Sequence, residues 1–165
     1  MVDGVLYSGW SNGTLQARTF DGTTFGPAET VNLYGLTNFA GELPWVTGMF
    51  YDRSTARLYY SMAGSSTLFY RYFLPESRIV GAVRFTGPAG AGGLNFAATS
   101  AMFLADSTLY VGDVNSGELR AVLWSGGGFG GSPQVVIGPA EGFDWRARGA
   151  VIVAPETVRS GGSGA

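Results

Sequence analysis

Asp52, Asp113, Glu141 and Asp144 are the side chains of this chain best suited to acid/base chemistry. Two carboxyls roughly 5 to 10 Å apart can cleave a glycosidic bond, one protonating the leaving oxygen while the other acts as base or nucleophile. Little else in the composition could take part. The 165 residues include no histidine and no cysteine, which removes the Ser-His-Asp triad, imidazole metal ligands, thiolates and disulfides from consideration. All ten basic residues are arginine and the net charge is −2, so the chain lacks the basic footprint that clamps phosphates. Neither nucleic acid nor an anionic membrane is therefore expected as a partner. The stretch DVNSGE at 113–118 groups oxygen ligands but is too short for a calcium loop, and no metal or cofactor is expected.

Stacking is the second chemistry on offer. Trp10, Trp45 and Trp145 could lie against the apolar faces of sugar rings while Asp113, Asp144 and Arg146 take the hydroxyls. These residues are the candidate ligand contacts. The plainer alternatives are that Trp45 and Trp145 are packing residues of their loops, and that each acid is a solvated surface group.

The elements that must position these side chains are read from repetition. VLYSGWSNGTLQARTF, RLYYSMAGSSTLFYRYF and TLYVGDVNSGELRAVLW share a Leu-Tyr pair, a turn and a restart at Leu. Leu6, Leu58 and Leu109 form one column and Leu15, Leu68 and Leu119 another, at offsets of 51 to 53 residues. Further columns hold Phe20, Phe73 and Trp124, then Phe25, Ile79 and Phe129. Arg18 and Arg71 share a column filled by Val122 in the third copy, which suggests a structural bond to a carboxylate such as Glu76 or to a loop carbonyl. A further apolar strand precedes the second and third hairpins, at 48–52 and 101–104, and the first copy lacks one. RGAVIVAP, 148–155, has the same character and follows the third copy at the matching interval.

Four strands per unit of roughly 50 residues, joined by Asn-Gly and Asp-Gly turns, predict an all-β protein of β-propeller type. The expected units are 148–155 with 2–33, then 46–86, then 98–138, within a three-blade unit spanning 1–155. Residues 156–165, ending SGGSGA, have the composition of a flexible tail or linker. Three blades are too few to close a ring, so two copies forming a six-bladed homodimer are expected, each C-terminal strand completing the first blade of its own chain or its neighbour's. The chain shows no run of 18 apolar residues and no export signal of its own.

The segment GMFYDRSTARLYYSMAGSSTLFYRYFLPESRIVGA, with LYSGWSNGTLQARTFDGTTFGPA, resembles the β-propeller-like repeats toward the ends of large secreted bacterial surface proteins. The resemblance covers residues 2 to 155. It implies an extracellular or cell-surface setting and a binding or scaffold role, and it brings no catalytic motif. RTFDGTTFG is also similar to a degenerate Asp-box of sialidase-type propellers, with Asp21, Gly22 and Phe25 in matching places. It lacks the leading Ser and the Trp, and such a box is a folding device. The expected function is a non-catalytic, carbohydrate-binding, self-assembling module. The alternatives are a purely structural or engineered assembly unit and a glycoside-processing enzyme using Asp52, Asp113 or Asp144.

Overall fold

The computed structural model describes residues 1–89 and 92–147. Within them the chain folds into three antiparallel sheets in sequence order. Sheet 1 holds β1 (Val5–Gly9), β2 (Leu15–Thr19) and β3 (Glu29–Thr30). After a short helix, α1 (Thr37–Glu42), sheet 2 holds β4 (Val46–Asp52), β5 (Arg57–Met62), β6 (Phe69–Leu74), β7 (Ile79–Val80) and β8 (Phe85–Thr86). Sheet 3 repeats the pattern with β9 (Thr99–Ala105), β10 (Thr108–Asp113), β11 (Leu119–Ser125), β12 (Gly128–Phe129) and β13 (Gln134–Ile137).

Hairpin turns are fixed by their own side chains. Asn12 Oδ1 accepts from the Thr14 N–H at 3.1 Å, and Asp113 Oδ1 from the Asn115 N–H at 2.7 Å. Asp21 does the same for the N–H groups of Thr23 and Thr24, and those bonds hold its carboxyl below the ordinary value.

The outermost strand of sheets 2 and 3 is broken in two. β7 and β8 both pair with β6, and β12 and β13 both pair with β11. At each break a glycine N–H returns to the neighbouring strand: Gly81 to Tyr72 O at 2.8 Å and Gly130 to Leu123 O at 2.8 Å, with Gly26 to Thr19 O at 2.9 Å in sheet 1. Pairing across this bend corrects one column of the sequence alignment. Phe20 faces Phe25 and Trp124 faces Phe129, but Phe73 faces Val80, so Val80 and not Ile79 is the third member. The loop in sheet 2 is longer, and the slip turns Ile79 out to solvent.

Alternation along the strands stacks the sheets face to face. Leu58, Tyr60 and Phe73 of sheet 2 join Leu15, Ala17 and Val31 of sheet 1 in one core. Phe50, Tyr59 and Leu68, on the opposite face of sheet 2, join Leu109, Val122 and Trp124 of sheet 3 in a second. Successive residues thus serve different cores, and Tyr59 and Tyr60 are both 0% exposed. Burying each such ring contributes about 1.5–3 kcal/mol. β4 and β9 run beside one another as inner strands. A Cβ at Gly48 would lie 3.0 Å from Met102 N, so the missing side chain is what allows the approach.

Sheet 1 has no strand inside β1 among the described residues; β1 pairs with β2, and on its other edge only Val5 is engaged, in a two-bond bridge to Val2. The segment expected to fill that place, 148–155, lies outside the described residues.

Candidate functional site

By topology, the turns β1–β2, β5–β6 and β10–β11 and the linkers between sheets share one end of the molecule. Backbone bonds tie them together: the Ala63 N–H donates to Trp45 O at 2.8 Å and the Val114 N–H to Ala98 O at 2.7 Å. The first linker becomes α1 because Phe39 and Leu43 are driven into the core between sheets 1 and 2. A helix of six residues without a side-chain cap owes its order to that packing.

Trp10 and Trp45 stand on this end, 47% and 62% exposed. Trp10 opens the β1–β2 turn, whose Gly13 backbone approaches Ala40 of α1 so closely that a Cβ there would lie 2.7 Å from Ala40 O. Trp45 closes the 3₁₀ turn Leu43–Trp45 that follows α1. Both therefore belong to the junction of sheets 1 and 2.

The other candidates gather on sheet 3. Asp113 spends one carboxylate oxygen on the N–H groups of Asn115 and Ser116 in its own turn. Asp144 pairs with Arg146 at 3.0 Å, and Arg146 also reaches the carbonyls of Asn115 and Ser116. Trp145 is half-buried, lies 6.4 Å from the Phe103 ring and bonds through its backbone N–H to Gly117 O. Its indole Nε1 and the nearby Ser100 Oγ are buried without a partner among the described residues. Glu141 caps the Gly138 N–H.

Asp52 departs from its expected role as a solvated acid. It is 3% exposed, accepts from the Trp124 indole N–H at 3.0 Å and from Ser54 Oγ at 2.7 Å, and so clasps sheet 2 to sheet 3. Burial opposes its ionisation, yet the bonds from Ser54 and Trp124 prevail and hold its carboxyl below the ordinary value. Asp52 also ends β4 at the opposite pole from Asp113 and Asp144. A strand of that length spans about 20 Å, beyond the reach of a carboxylate pair.

Arg71 is 0% exposed, as a recurring structural arginine should be, but its carboxylate is not Glu76. Its guanidinium forks onto both oxygens of Glu42 at 3.2 Å, donates to the carbonyls of Gly81 and Ala82 and to Tyr60 Oη, and lies over the Phe39 ring. Glu42 also accepts from Tyr60 Oη at 2.6 Å and from Arg84 at 3.0 Å. Burial, reinforced by the bond to Glu42, pushes the Tyr60 hydroxyl far above its ordinary pKa, so it remains a donor. Glu42, Tyr60 and Arg84 escaped the sequence reading. A buried arginine demands a carboxylate, but nothing in spacing says that it comes from a helix 29 positions upstream.

No protein-family model and no curated protein matches the chain. Among solved structures it is similar to a protein of Bacteroides uniformis described as a 6-phosphogluconolactonase, at 12% identity and a TM-score of 0.45, over 82% of this chain and 40% of that one. It is similar to the WD40 β-propeller domain of Doa1 at 12% identity and a TM-score of 0.39, over 77% of this chain and 36% of that one. The PQQ-bound aldose sugar dehydrogenase of Streptomyces coelicolor matches at 13% identity and a TM-score of 0.38, over 86% of this chain and 72% of that one. The chain thus spans about two fifths of the first two. The propeller-like character of the fold rests on its own repeated, stacked sheets.

Proposed function

We propose that the chain is a non-catalytic binding and scaffold unit of β-propeller type, its three sheets acting as blades of a ring built with a second copy in an extracellular setting. Carbohydrate is its ligand class, bound on the loop end at Trp10 and Trp45. The observation that carries the binding site is the exposure of two tryptophans where the repeat has no need of them. Trp10 corresponds to Met62 and Asp113 in the other copies, and Trp45 to Ala98 in the next linker. Large aromatic faces kept in water at loop positions that packing does not dictate suit stacking on sugar rings. The acids support the non-catalytic half: Asp52 is committed to Trp124, Asp113 to its turn and Asp144 to Arg146.

A glycan array probed with the wild-type chain and with Trp10→Ala tests the site. Retained signal on specific glycans that falls at least tenfold in the variant is the expected result. An array blank for both proteins removes the ligand claim. Hydrolysis of chromogenic glycosides that disappears in Asp113→Asn or Asp144→Asn would overturn the non-catalytic claim.

A further inference from the structure

We infer that two copies join head to tail by strand exchange: residues 148–153 of one copy enter the inner position of sheet 1 that the described residues leave open in the other, whose outer face packs on sheet 3 of the donor. This rests on the ring reading above and specifies its joint.

The vacancy has a defined place. A cavity of about 460 Å³ opens between β1, β4 and β9, lined by Leu6 and Ser8 on one side, by Met49, Phe50 and Met102 on the others, and by Met1 at one end. It lies along the inner edge of β1, which Val2 occupies at Val5 and which is open from Leu6 to Gly9 among the described residues, where β4 and β9 mark the inner position in the other two sheets. A largely unpaired strand edge beside such a cavity is a template for one more strand.

The occupant follows from the linkers. Leu43 and Phe96 are buried plugs, each three positions before its inner strand at Val46 or Thr99. Leu43 sits on Gly9, whose Cβ would lie 3.1 Å from Leu43 Cδ2. Trp145 sits likewise on Gly112, the counterpart of Gly9, whose Cβ would lie 3.5 Å from Trp145 Cβ. Three positions on, Arg148 opens RGAVIVA, which matches VTGMFYD of β4 and TSAMFLA of β9 with a small residue third and apolar residues after it. Trp145 is thus the plug for an inner strand that begins at 148, and that strand belongs to a sheet stacked on the outer face of sheet 3.

The outer faces support a second copy as that sheet. Phe73 and Trp124 are buried, whereas Phe20, which shares their column, is half-exposed; Leu6 stands in the same relation to Leu58 and Leu109. Tyr7 meets Phe73 edge-on at 5.1 Å across the first junction, and Tyr59 meets Trp124 edge-on at 4.8 Å across the second. Tyr110, next in that series, is half-exposed and has no such partner within the described chain. Phe20 of the second copy completes the series. A strand running on from Trp145 then enters the sheet that covers Trp145, which is the neighbour's sheet 1 and not its own.

The register fixes the test. Tyr51 pairs with Leu58 and Leu104 with Leu109, so Val153 of one copy should pair with Leu6 of the other. The chain has no cysteine, so Leu6→Cys and Val153→Cys chains can be prepared separately, refolded together and oxidised. Ser8→Cys with Val151→Cys is the second pair, since Tyr60 faces Met49. The expected product is a disulfide-linked species holding one chain of each variant, inside a particle of two chains by light scattering. A crosslink formed only within a doubly substituted chain overturns the exchange and returns the strand to its own sheet. A two-chain particle with no crosslink from either pair overturns the exchange while leaving the ring intact. A one-chain particle overturns both.

Discussion

Asp52 joins β4 to Trp124 across the junction of sheets 2 and 3, and it does so as a carboxylate. Because its folded pKa is held below the ordinary aspartate value, near 3.9, its contribution is complete above that value and is lost as pH falls through the lower, folded one. Asp52→Asn keeps an acceptor for the indole but cannot titrate. The stability of the wild-type chain should therefore fall more steeply between pH 5 and pH 3 than that of the variant. Urea midpoints followed by tryptophan fluorescence at the two pH values give the comparison. Equal slopes would mean that folding leaves the Asp52 pKa unchanged. The same residue shows what sequence can miss at this scale. Asp52 ends a strand beside Arg53 and Ser54, a context that reads as surface; its burial depends on Trp124, 72 positions away.

Helix α1 is tied to sheet 2 by Glu42, which holds the buried Arg71, Tyr60 and the exposed Arg84 together. A buried ion pair contributes little net energy over an apolar pair, but removing one partner strands the other charge at a cost of about 3–5 kcal/mol. Glu42→Ala should thus lower the melting temperature by about 10 °C, at about 2–4 °C per kcal/mol for a chain of this size. Arg71→Met combined with Glu42→Met should recover part of that loss, and differential scanning calorimetry separates the two outcomes. A double variant as unstable as the single one would show that the cluster acts through packing alone.

At the level of elements, the strands were the most legible part of the fold. Matched Leu columns and near-continuous apolar runs place the hairpins β1–β2, β5–β6 and β10–β11, because both faces of a sheet stacked between two others must be apolar. The broken outer strand was not legible. Its break depends on a glycine N–H returning to the neighbouring strand, and the sheet 2 loop is two residues longer than its counterparts, from Phe73 to Val80 against Phe20 to Phe25, which hid the register. Of the candidate site, Trp10 stands exposed at a position that varies between copies, whereas the half-burial of Trp145 follows from its place on Gly112, which spacing alone did not reveal.

Considered whole, the molecule has two unequal ends. The face of sheet 1 turned away from sheet 2 carries Leu6, Arg18 and Phe20 at positions whose counterparts Leu58, Arg71 and Phe73 are buried, so the repeat supplies a packing face that the described residues leave uncovered. Apolar columns at an open end of a repeat array are normally covered by a cap or by another copy. Phe20→Asp separates these roles from simple core packing. In an isolated chain the half-exposed ring contributes little, and the variant should fold with nearly the wild-type circular dichroism spectrum. In the joined form an aspartate would be buried against Tyr110 with no partner, which costs several kcal/mol. The wild-type melting temperature should rise over a hundredfold increase in concentration, as folding coupled to association requires, and Phe20→Asp should abolish the rise. Phe73→Asp, at the matching position inside the chain, should instead unfold it at every concentration, since that ring packs on Tyr7 and Tyr51 in the core between sheets 1 and 2.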